Sequence, residues 1–215
     1  MKPMPRIKSS GATRPEASAD HDTRARIFRA AAQLFADRGY NGVSMREISE
    51  YSGVSKPMIY YYFGSKEGIF SELLKTGRQF AVENLQAILA SELPVRDKLV
   101  ELIKTRFAMC RRHPEFVRFY FSAILSADQL PFIRFFTSDL LHPQELLTKI
   151  IRDGIEAGEF NPDLDAGIIA SLVAGVQFIY IIKYLNWNNE EFTDQLAEEI
   201  VDHLMRGLSP SGRNI

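Results

Sequence analysis

Apolar residues recur at helical spacing along most of this 215-residue chain. The first clear pattern is expected to begin at Asp22 or Thr23 and to end at Gly39. Its apolar positions lie three, four, seven and eight residues after the first, at Ile27, Ala30, Ala31, Leu34 and Phe35. This is the stripe of an amphipathic helix. We find no convincing alternation of apolar and polar residues that would predict a strand, so the pattern predicts an all-α fold.

Two short helical patterns follow in the segment VSMREISEYSGVSKPMIYYYFGSKEGIF, residues 43–70. Ser44 and Glu47 have the spacing of a capping box, in which each side chain satisfies a free backbone amide of the other residue. We therefore predict a helix that begins at Ser44, ends at about Tyr51 and buries Ile48.

A glycine turn joins this helix to the next. Gly53 lies in the turn, and Ser55 can cap the second helix. Pro57 falls in the first turn of that helix, where a missing amide removes no helical hydrogen bond. Ile59 and Phe63 are four residues apart and are predicted to face the core. Two helices joined in this way form a helix-turn-helix, whose second helix enters the major groove of DNA.

The stretch from Thr23 to Leu74 resembles the DNA-binding domain of TetR-family transcriptional regulators. The similarity lies in ARIFRAAAQLFADRGYNGVSMREIS and in SGVSKPMIYYYFGSKEGIF, and it covers about a quarter of the chain. The other three quarters match the family only in length and helical character. The resemblance implies an amino-terminal three-helix helix-turn-helix domain followed by a helical body that binds a ligand and dimerises.

Contacts with DNA divide into those that read bases and those that hold phosphates. The residues predicted to reach base edges are Arg46, Lys56, Pro57, Met58 and Tyr61. The resemblance implies phosphate contacts by Ser44, Ser55, Tyr60, Tyr62 and Lys66, and by the backbone amides of Thr23 or Gly42. For Met58 and Tyr62, packing in the core remains an equal alternative.

A longer helix, from Ser65 to about Ala90, is predicted to link the DNA-binding head to the body. Prolines separate the later helical patterns, which lie near residues 95–112, 115–127, 132–141, 144–157 and 163–185. A last helix is expected from Glu190 to Gly207. We expect a flexible arm over residues 1–20, the DNA-binding domain over 21–68, and the effector-binding and dimerisation domain over 69–215.

The pattern at 163–185 carries small residues every four positions and apolar residues around the rest of its circumference. Such a helix should be buried on more sides than one small body provides. The resemblance implies that this helix and the last one pair with a second copy. The residues predicted in this homodimer interface are Gly167, Ser171, Gly175, Phe178, Phe192, Leu196, Ile200 and Leu204. Two heads would then bind a palindromic operator.

Seven phenylalanines lie between Phe107 and Phe136, a density well above that of the rest of the chain. They either fill a core or line a cavity, and core packing is the better expectation for any single one. The resemblance implies an effector pocket in the body, and aromatic walls suit an apolar or aromatic effector. The residues predicted to line it are Arg106, Met109, His113, Phe116, Tyr120, Phe136, Gln177 and Tyr180.

The net charge of −1 is unevenly distributed. Residues 1–75 contain 12 Lys or Arg and 8 Asp or Glu, a net charge of +4, while residues 76–215 contain 14 and 19, a net charge of −5. This segregation gives the predicted head an attractive field for phosphates. Cys110 is the only cysteine, which excludes an intramolecular disulfide and suits a reducing cytoplasm. The apolar run 168–182 is short for a bilayer span, and no membrane partner is predicted.

The predicted function is that of a ligand-responsive homodimeric repressor that releases its double-stranded DNA operator when a small-molecule effector binds. A helix-turn-helix regulator without a ligand is the first alternative, and an all-helical enzyme is the second. The four histidines show no HExxH or paired spacing, and no glycine-rich phosphate loop is present. We therefore predict no catalytic residue, no metal site and no cofactor.

Overall fold

The computed structural model describes residues 14–125, 141–187 and 192–208. Within these ranges the chain forms helices, and no strand occurs there. The helices are α1 (Arg14–Arg38), α2 (Met45–Ser52), α3 (Lys56–Phe63), α4 (Lys66–Ala90), α5 (Val95–Arg112), α6 (Pro114–Leu125), α7 (Leu141–Glu156), α8 (Ala166–Trp187) and α9 (Asp194–Leu208). The all-α prediction is confirmed.

Helix α1 begins earlier than the sequence pattern predicts. It starts at Arg14, so it includes residues 14–20 of the expected arm. Pro15 lies in its first turn, where the missing amide has no helical acceptor to lose, and the alanines that follow favour a helix. Most of the helix predicted at 132–141, together with Phe136, lies outside the described residues. The same is true of Glu190, the expected start of the last helix.

The capping box predicted at the start of α2 is confirmed. The Glu47 amide donates to Ser44 Oγ at 3.3 Å, and the Ser44 amide donates to Glu47 Oε2 at 2.8 Å. The Ser44 hydroxyl also donates to Glu47 Oε2, at 2.7 Å. These hydrogen bonds hold the pKa of the Glu47 carboxyl below its usual range. Gly53 follows α2 with a φ of +64°, a left-handed conformation that glycine adopts without steric cost.

Helix α3 is anchored by few side chains. Ser55 precedes its first turn, but the Ser55 side chain makes no capping hydrogen bond, contrary to expectation. Pro57 occupies the first turn as predicted. Ile59 is fully buried, and Phe63 is half-buried with its ring centroid 6.4 Å from that of Phe28. The rest of the α3 surface is open.

The core of the head includes side chains from the body helix α6. Phe35 of α1 and Phe70 of α4 meet edge to face, with ring centroids 5.2 Å apart. Phe119 of α6 completes this cluster at 5.0 Å from Phe70 and 6.1 Å from Phe35, and all three rings are buried. Units of about 60 residues or fewer bury little of their surface and are only marginally stable. The head therefore gains part of its core from α6.

A second core lies in the body and joins α5 to α4, α7, α8 and α9. Helix α5 contributes Leu99, Leu102, Ile103 and Phe107, which are at most 2 % exposed. Phe107 stacks on Phe192, with ring centroids 3.8 Å apart. The two cores meet along α4 and α6, whose residues contribute to both.

Helix α8 buries one face and exposes another. Its buried residues are Ile169, Ala170, Val173, Gln177, Ile181 and Leu185. On the other side, Ile168, Leu172 and Ile179 are about half exposed or more. By length and composition alone α8 could cross a membrane, a test that a core helix of a soluble protein also passes. The sequence predicted that α8 is buried on most sides. In a single copy of the chain, an apolar stripe of α8 is exposed.

Replacing Phe119 tests whether α6 is part of the head core. Phe119→Ala should lower the free energy of unfolding by about 3–5 kcal/mol, the usual cost of deleting a buried ring. Phe80→Ala, the same change at a ring that is 36 % exposed, should cost about 1 kcal/mol or less. Urea unfolding followed by circular dichroism measures both values. Equal costs for the two variants would contradict the assignment of Phe119 to the head core.

Candidate functional site

The open surface of α3 is formed by residues predicted to contact DNA. Tyr61 is 78 % exposed, Tyr60 49 % and Met58 41 %. Lys56 and Pro57, in the first turn, are exposed as well. Met58 is therefore not a core residue. Together these side chains form a basic and aromatic surface on the helix that a helix-turn-helix inserts into the major groove.

Tyr62 and Arg46 flank this surface. The Tyr62 ring is half-buried, with its centroid 5.4 Å from that of Tyr61 and 6.3 Å from that of Phe63, so packing accounts for part of its role. Arg46 in α2 is exposed, and its Nε lies 3.8 Å from Glu50 Oε1. An exposed ion pair of this length contributes little free energy. The Arg46 guanidinium can therefore leave Glu50 for DNA.

Lys66, a predicted phosphate contact, is engaged inside the head. Its ammonium donates to the backbone carbonyls of Tyr40 at 2.9 Å and Val43 at 2.8 Å. The same Nζ lies 4.1 Å from the centroid of the Tyr40 ring. Burial lowers the pKa of Lys66, against the opposing effect of Glu47. Lys66 thus ties the start of α4 to the α1–α2 connection, and most of its hydrogen-bonding capacity is used inside the head.

Two further predicted phosphate contacts are also engaged elsewhere. The Ser44 hydroxyl and amide both donate to Glu47 in the capping box, so neither is available for a phosphate while the box is intact. Thr23 lies inside α1 and not at its start, because the helix begins at Arg14. Helical amides beyond the first turn donate to the carbonyl four residues earlier. The Thr23 amide is therefore used by the helix.

A small cavity of about 30 Å³ lies between α4, α5, α6 and α8. Its walls are Gly77, Phe80, Arg106, Met109, Cys110, Phe116, Val117, Tyr120, Phe121 and Ile181. Four of the predicted pocket residues, Arg106, Met109, Phe116 and Tyr120, are among them. The space has room for a water-sized molecule, since a water needs about 10–15 Å³ of such volume.

The other predicted pocket residues lie elsewhere, and Phe136 is outside the described residues. His113 lines a neighbouring groove between the head and the body. Tyr180 lines a third groove, between α8 and α9. Gln177 is buried on the α8 face that also carries Ile181, and its Nε2 has no hydrogen-bond acceptor. The spacing on each helix predicted that these residues face inward. It did not predict which cavity or groove each of them lines.

The groove that contains His113 is wider than the cavity, at about 230 Å³. It runs between α1 of the head and α4, α5 and α6, and Phe28 of α1 forms part of its wall. Met109 and Phe116 line both the groove and the cavity. These two side chains are therefore the partition between the two spaces.

Burial dominates the electrostatics of the cavity. It lowers the pKa of the Arg106 guanidinium and raises the pKa of the Tyr120 hydroxyl. It also raises the pKa of the Cys110 thiol to about 12. A thiolate is the reactive form of cysteine, so Cys110 is an inert core residue at neutral pH. Arg106 is the one charged side chain among the cavity walls.

Gly77 was not predicted from the sequence, although it determines how closely α4 approaches α6. A Cβ at this position would lie 2.6 Å from Cδ2 and 2.8 Å from Cε2 of Tyr120, and 3.3 Å from Cζ of Phe116. No larger residue fits without moving these rings. The signal in the sequence was a glycine in the apolar face of a long helix, between Leu73 and Ala81, where glycine disfavours the helix.

The predicted dimer residues fall into two groups. Gly175 and Ser171 are exposed on α8, and Leu196 and Leu204 line the α8–α9 groove of about 380 Å³, with Ile200 also in its wall. Phe178 and Gly167 are partly buried, and the Phe178 ring packs 5.4 Å from that of Phe121.

Phe192 does not belong to the exposed surface, so its assignment to the interface is wrong. It is 4 % exposed and lies between Phe107 and Tyr184, with ring centroids 3.8 Å and 4.5 Å away. Its carbonyl accepts a hydrogen bond from Arg111. Phe192 closes the body core where the chain enters α9.

No metal centre is formed by the part of the chain that the structure describes: no three His, Cys, Asp or Glu side chains come together there. The two exposed i, i+3 and i, i+4 contacts of His142 and His203 are local to their own helices. Among the described residues, His113 Nδ1 and Glu115 Oε1 lie 3.9 Å apart in the wall of the groove between head and body.

Lys66→Met should destabilise the head without changing the number of phosphates bound. Hydrogen bonds from a charged donor contribute about 1.5–3 kcal/mol, so urea unfolding should show a loss of about 2 kcal/mol. Lys56→Met, which removes an exposed cation nearby, should leave the free energy of unfolding unchanged. If Lys66→Met were as stable as the wild type but bound DNA with a smaller salt dependence, Lys66 would be a phosphate contact after all.

Comparison with known proteins agrees with this geometry. The sequence model of "Bacterial regulatory proteins, tetR family" matches residues 27–73. The HTH-type transcriptional repressor KstR2 of Mycolicibacterium smegmatis is 26 % identical over 186 residues, which cover 86 % of this chain and 90 % of that protein. The match to the family model spans α2 and α3 and ends in α4.

Two solved structures share the whole fold. The ketosteroid transcriptional regulator KstR2 of Mycobacterium tuberculosis has a TM-score of 0.72 at 20 % identity, covering 93 % of this chain and 97 % of that chain. The regulator FadR of Bacillus subtilis, solved in complex with stearoyl-CoA, has a TM-score of 0.67 at 20 % identity, covering 89 % and 100 %. The helix-turn-helix and the match to the family model over residues 27–73 show a DNA-binding domain of the TetR family, and the shared architecture shows that a helical body with the fold of these regulators follows it.

Proposed function

We propose that this protein is a cytoplasmic, homodimeric repressor that binds a palindromic operator through α2 and α3 and releases it when a small, largely apolar effector binds in the body. The observation that carries this proposal is the position of α6. Phe119 on α6 lies in the head core, while Val117, Tyr120 and Phe121 on the same helix line the body cavity. A molecule that enlarges the cavity must therefore act on a helix that also holds the head together.

The DNA contacts follow from what is open on the head. The proposed set is reduced from the sequence prediction, because Thr23, Ser44 and Lys66 are engaged within the head. It consists of Arg46, Ser55, Lys56, Pro57, Met58, Tyr60, Tyr61 and Tyr62, with the Gly42 amide as a further phosphate contact. The Ser55 hydroxyl makes no cap bond and lies at the amino terminus of α3, where backbone amides favour a phosphate. Lys56 adds a positive charge at the same end.

The homodimer is proposed from the uncovered face of α8. Ile168, Leu172, Gly175 and Ile179 are spaced by four, three and four residues and are all exposed. This stripe runs beside the apolar wall of the α8–α9 groove. A continuous apolar surface of this kind indicates a protein or membrane contact. A second copy that packs α8 and α9 against their equivalents would cover it by two-fold symmetry.

Release is proposed to follow from linkage between the two ligands. An effector that prefers one arrangement of α6 weakens operator binding by the same factor by which the operator weakens effector binding. The stacked rings of Phe116 and Phe28, 6.0 Å apart, connect the cavity wall to α1 of the head. Helix α4, which carries Gly77 at the cavity and Phe70 in the head core, provides a parallel connection. The sequence suggested α4 alone.

The double variant Arg46→Ala/Lys56→Ala tests the proposed DNA surface. Selection from a random-sequence DNA library with the wild type should yield a two-fold symmetric sequence, and fluorescence anisotropy then measures affinity on it. Direct contacts contribute about 1–3 kcal/mol each. The double variant should therefore bind about thirtyfold more weakly or worse.

The matched control is Lys149→Ala/Arg152→Ala, which removes the same charge from exposed positions on α7. It should keep wild-type affinity at every salt concentration, whereas the double variant on the head should show a shallower dependence on salt. Equal affinity of both variants would sink the proposed DNA surface. A selected sequence without two-fold symmetry would argue against a dimer on DNA.

Leu172→Glu tests the proposed dimer. A buried, unpaired carboxylate at a symmetric interface is strongly disfavoured and would occur in both copies. Light scattering coupled to size-exclusion chromatography should give the mass of a dimer for the wild type and of a monomer for Leu172→Glu. Leu93→Glu, at a leucine 42 % exposed in the α4–α5 connection, should remain dimeric. A wild-type monomer, or a dimeric Leu172→Glu, would refute this interface.

A further inference from the structure

We infer that the effector is an organic carboxylate, whose anionic group pairs with Arg106 while its apolar part lies among the aromatic side chains between the cavity and the head. This inference deepens the proposed function and rests on it. It concerns one chemical group of the ligand. It predicts that organic acids bind more tightly than neutral compounds of the same shape.

Arg106 lies in the middle of α5 and forms part of the cavity wall. Within the described part of the chain, its guanidinium takes part in no hydrogen bond or ion pair. Tyr120 and Cys110 act electrostatically on Arg106, and burial raises the pKa of both, so both are neutral near pH 7. Among the residues that the structure describes, none supplies an anionic partner for Arg106 at the cavity.

None of the ten side chains that line the cavity is acidic. A second cation, Arg78 of α4, also acts electrostatically on Tyr120. Arg106 is half-buried, and withdrawing part of a charge from water without a partner is costly. A carboxylate offsets this cost, because its two oxygens match the fork of the guanidinium.

The cavity and the groove differ in volume, so each would accommodate a different end of the ligand. The cavity beside Arg106, about 30 Å³, has room for a small polar group. The larger space is the groove of about 230 Å³ on the other side of Met109 and Phe116. Methionine is flexible and adapts to new contacts, so Met109 is the easier part of the partition to displace. An apolar chain attached to the carboxylate would extend into the groove.

This placement explains how such a ligand would reach the head. The groove is bounded by Phe28 of α1, and Phe116 stacks on Phe28 at 6.0 Å. A chain that passes Met109 and enters the groove lies against Phe116 and Phe28 and would press α6 away from α1. Because Phe116 and Phe119 both belong to the head core, the displacement is felt where α1 supports α2 and α3.

The test compares acids with alcohols of the same length on the full-length protein. Hexanoate, octanoate and decanoate are titrated beside hexanol, octanol and decanol, with isothermal calorimetry for binding and anisotropy for release of the selected operator. The acids should bind wild type about tenfold to hundredfold more tightly than the matching alcohols, since hydrogen bonds to charged groups contribute about 1.5–3 kcal/mol. Arg106→Gln should remove that preference and bind acids and alcohols alike.

The control variant is Arg152→Gln, at an exposed arginine of α7 outside the cavity, which should retain the preference for acids. A readout without any ligand is the melting temperature. Arg106→Gln removes an uncompensated charge and should melt at the same temperature as the wild type or higher. A lower melting temperature would show that the charge is satisfied within the protein and would overturn the inference.

The remaining outcomes distinguish this inference from the proposed function. If acids and alcohols bind equally to the wild type and both release the operator, the anionic group is wrong and effector-controlled repression stands. If no probe binds while the operator is bound tightly by a dimer, the carboxylate inference is overturned, and the part of the proposal that concerns DNA and dimerisation is unaffected.

Discussion

The packing of α6 into the head is the interaction on which the rest of the structure depends. Phe119 closes a cluster with Phe35 and Phe70, one ring from each of three helices. If α6 moved away from the head, this aromatic cluster would be exposed to water. The free energy lost would be large for so small a folded unit. The geometry of the head is therefore set both by its own helices and by Phe119 of the body helix α6. A DNA-binding unit built in this way is coupled to the body by its own stability.

Helix α6 is also tightly packed on the side that faces α4. Gly77 brings α4 so near α6 that a single added carbon would meet the Tyr120 ring at 2.6 Å. Close-packed interiors transmit small displacements and do not absorb them. The cavity at this contact holds only a water-sized molecule. Any larger ligand must therefore shift α4, α6 or both, and either helix also carries a ring of the head core.

The elements that local interactions determine were predictable from the sequence, and the tertiary engagements were not. The capping box of Ser44 and Glu47 and the left-handed Gly53 depend on neighbours within a few residues, so their spacing was sufficient. The hydrogen bonds of Lys66 were not predicted, because its acceptors are carbonyls 23 and 26 residues away. Phe192 was misjudged because helical period identifies an apolar position without its partner, here Phe107 of α5. Four of the eight predicted pocket residues line the cavity. Helical period predicts that positions on α5 and α6 face inward, but only packing divides the interior into separate spaces.

Arg106 carries the last step of the argument. An arginine among aromatic residues suggested a pocket from sequence, and the structure adds that the charge has no partner among the described residues. A cavity of about 30 Å³ must widen to admit an effector, and the cost of widening lowers the affinity of any ligand, so a purely apolar effector would bind weakly here. A half-buried cation changes that balance, because pairing it removes a cost already present in the free protein. The ligand that binds best in this cavity is therefore an anion, because it supplies the partner that Arg106 lacks among the described residues. Widening the cavity to admit the ligand would move α6 away from the head.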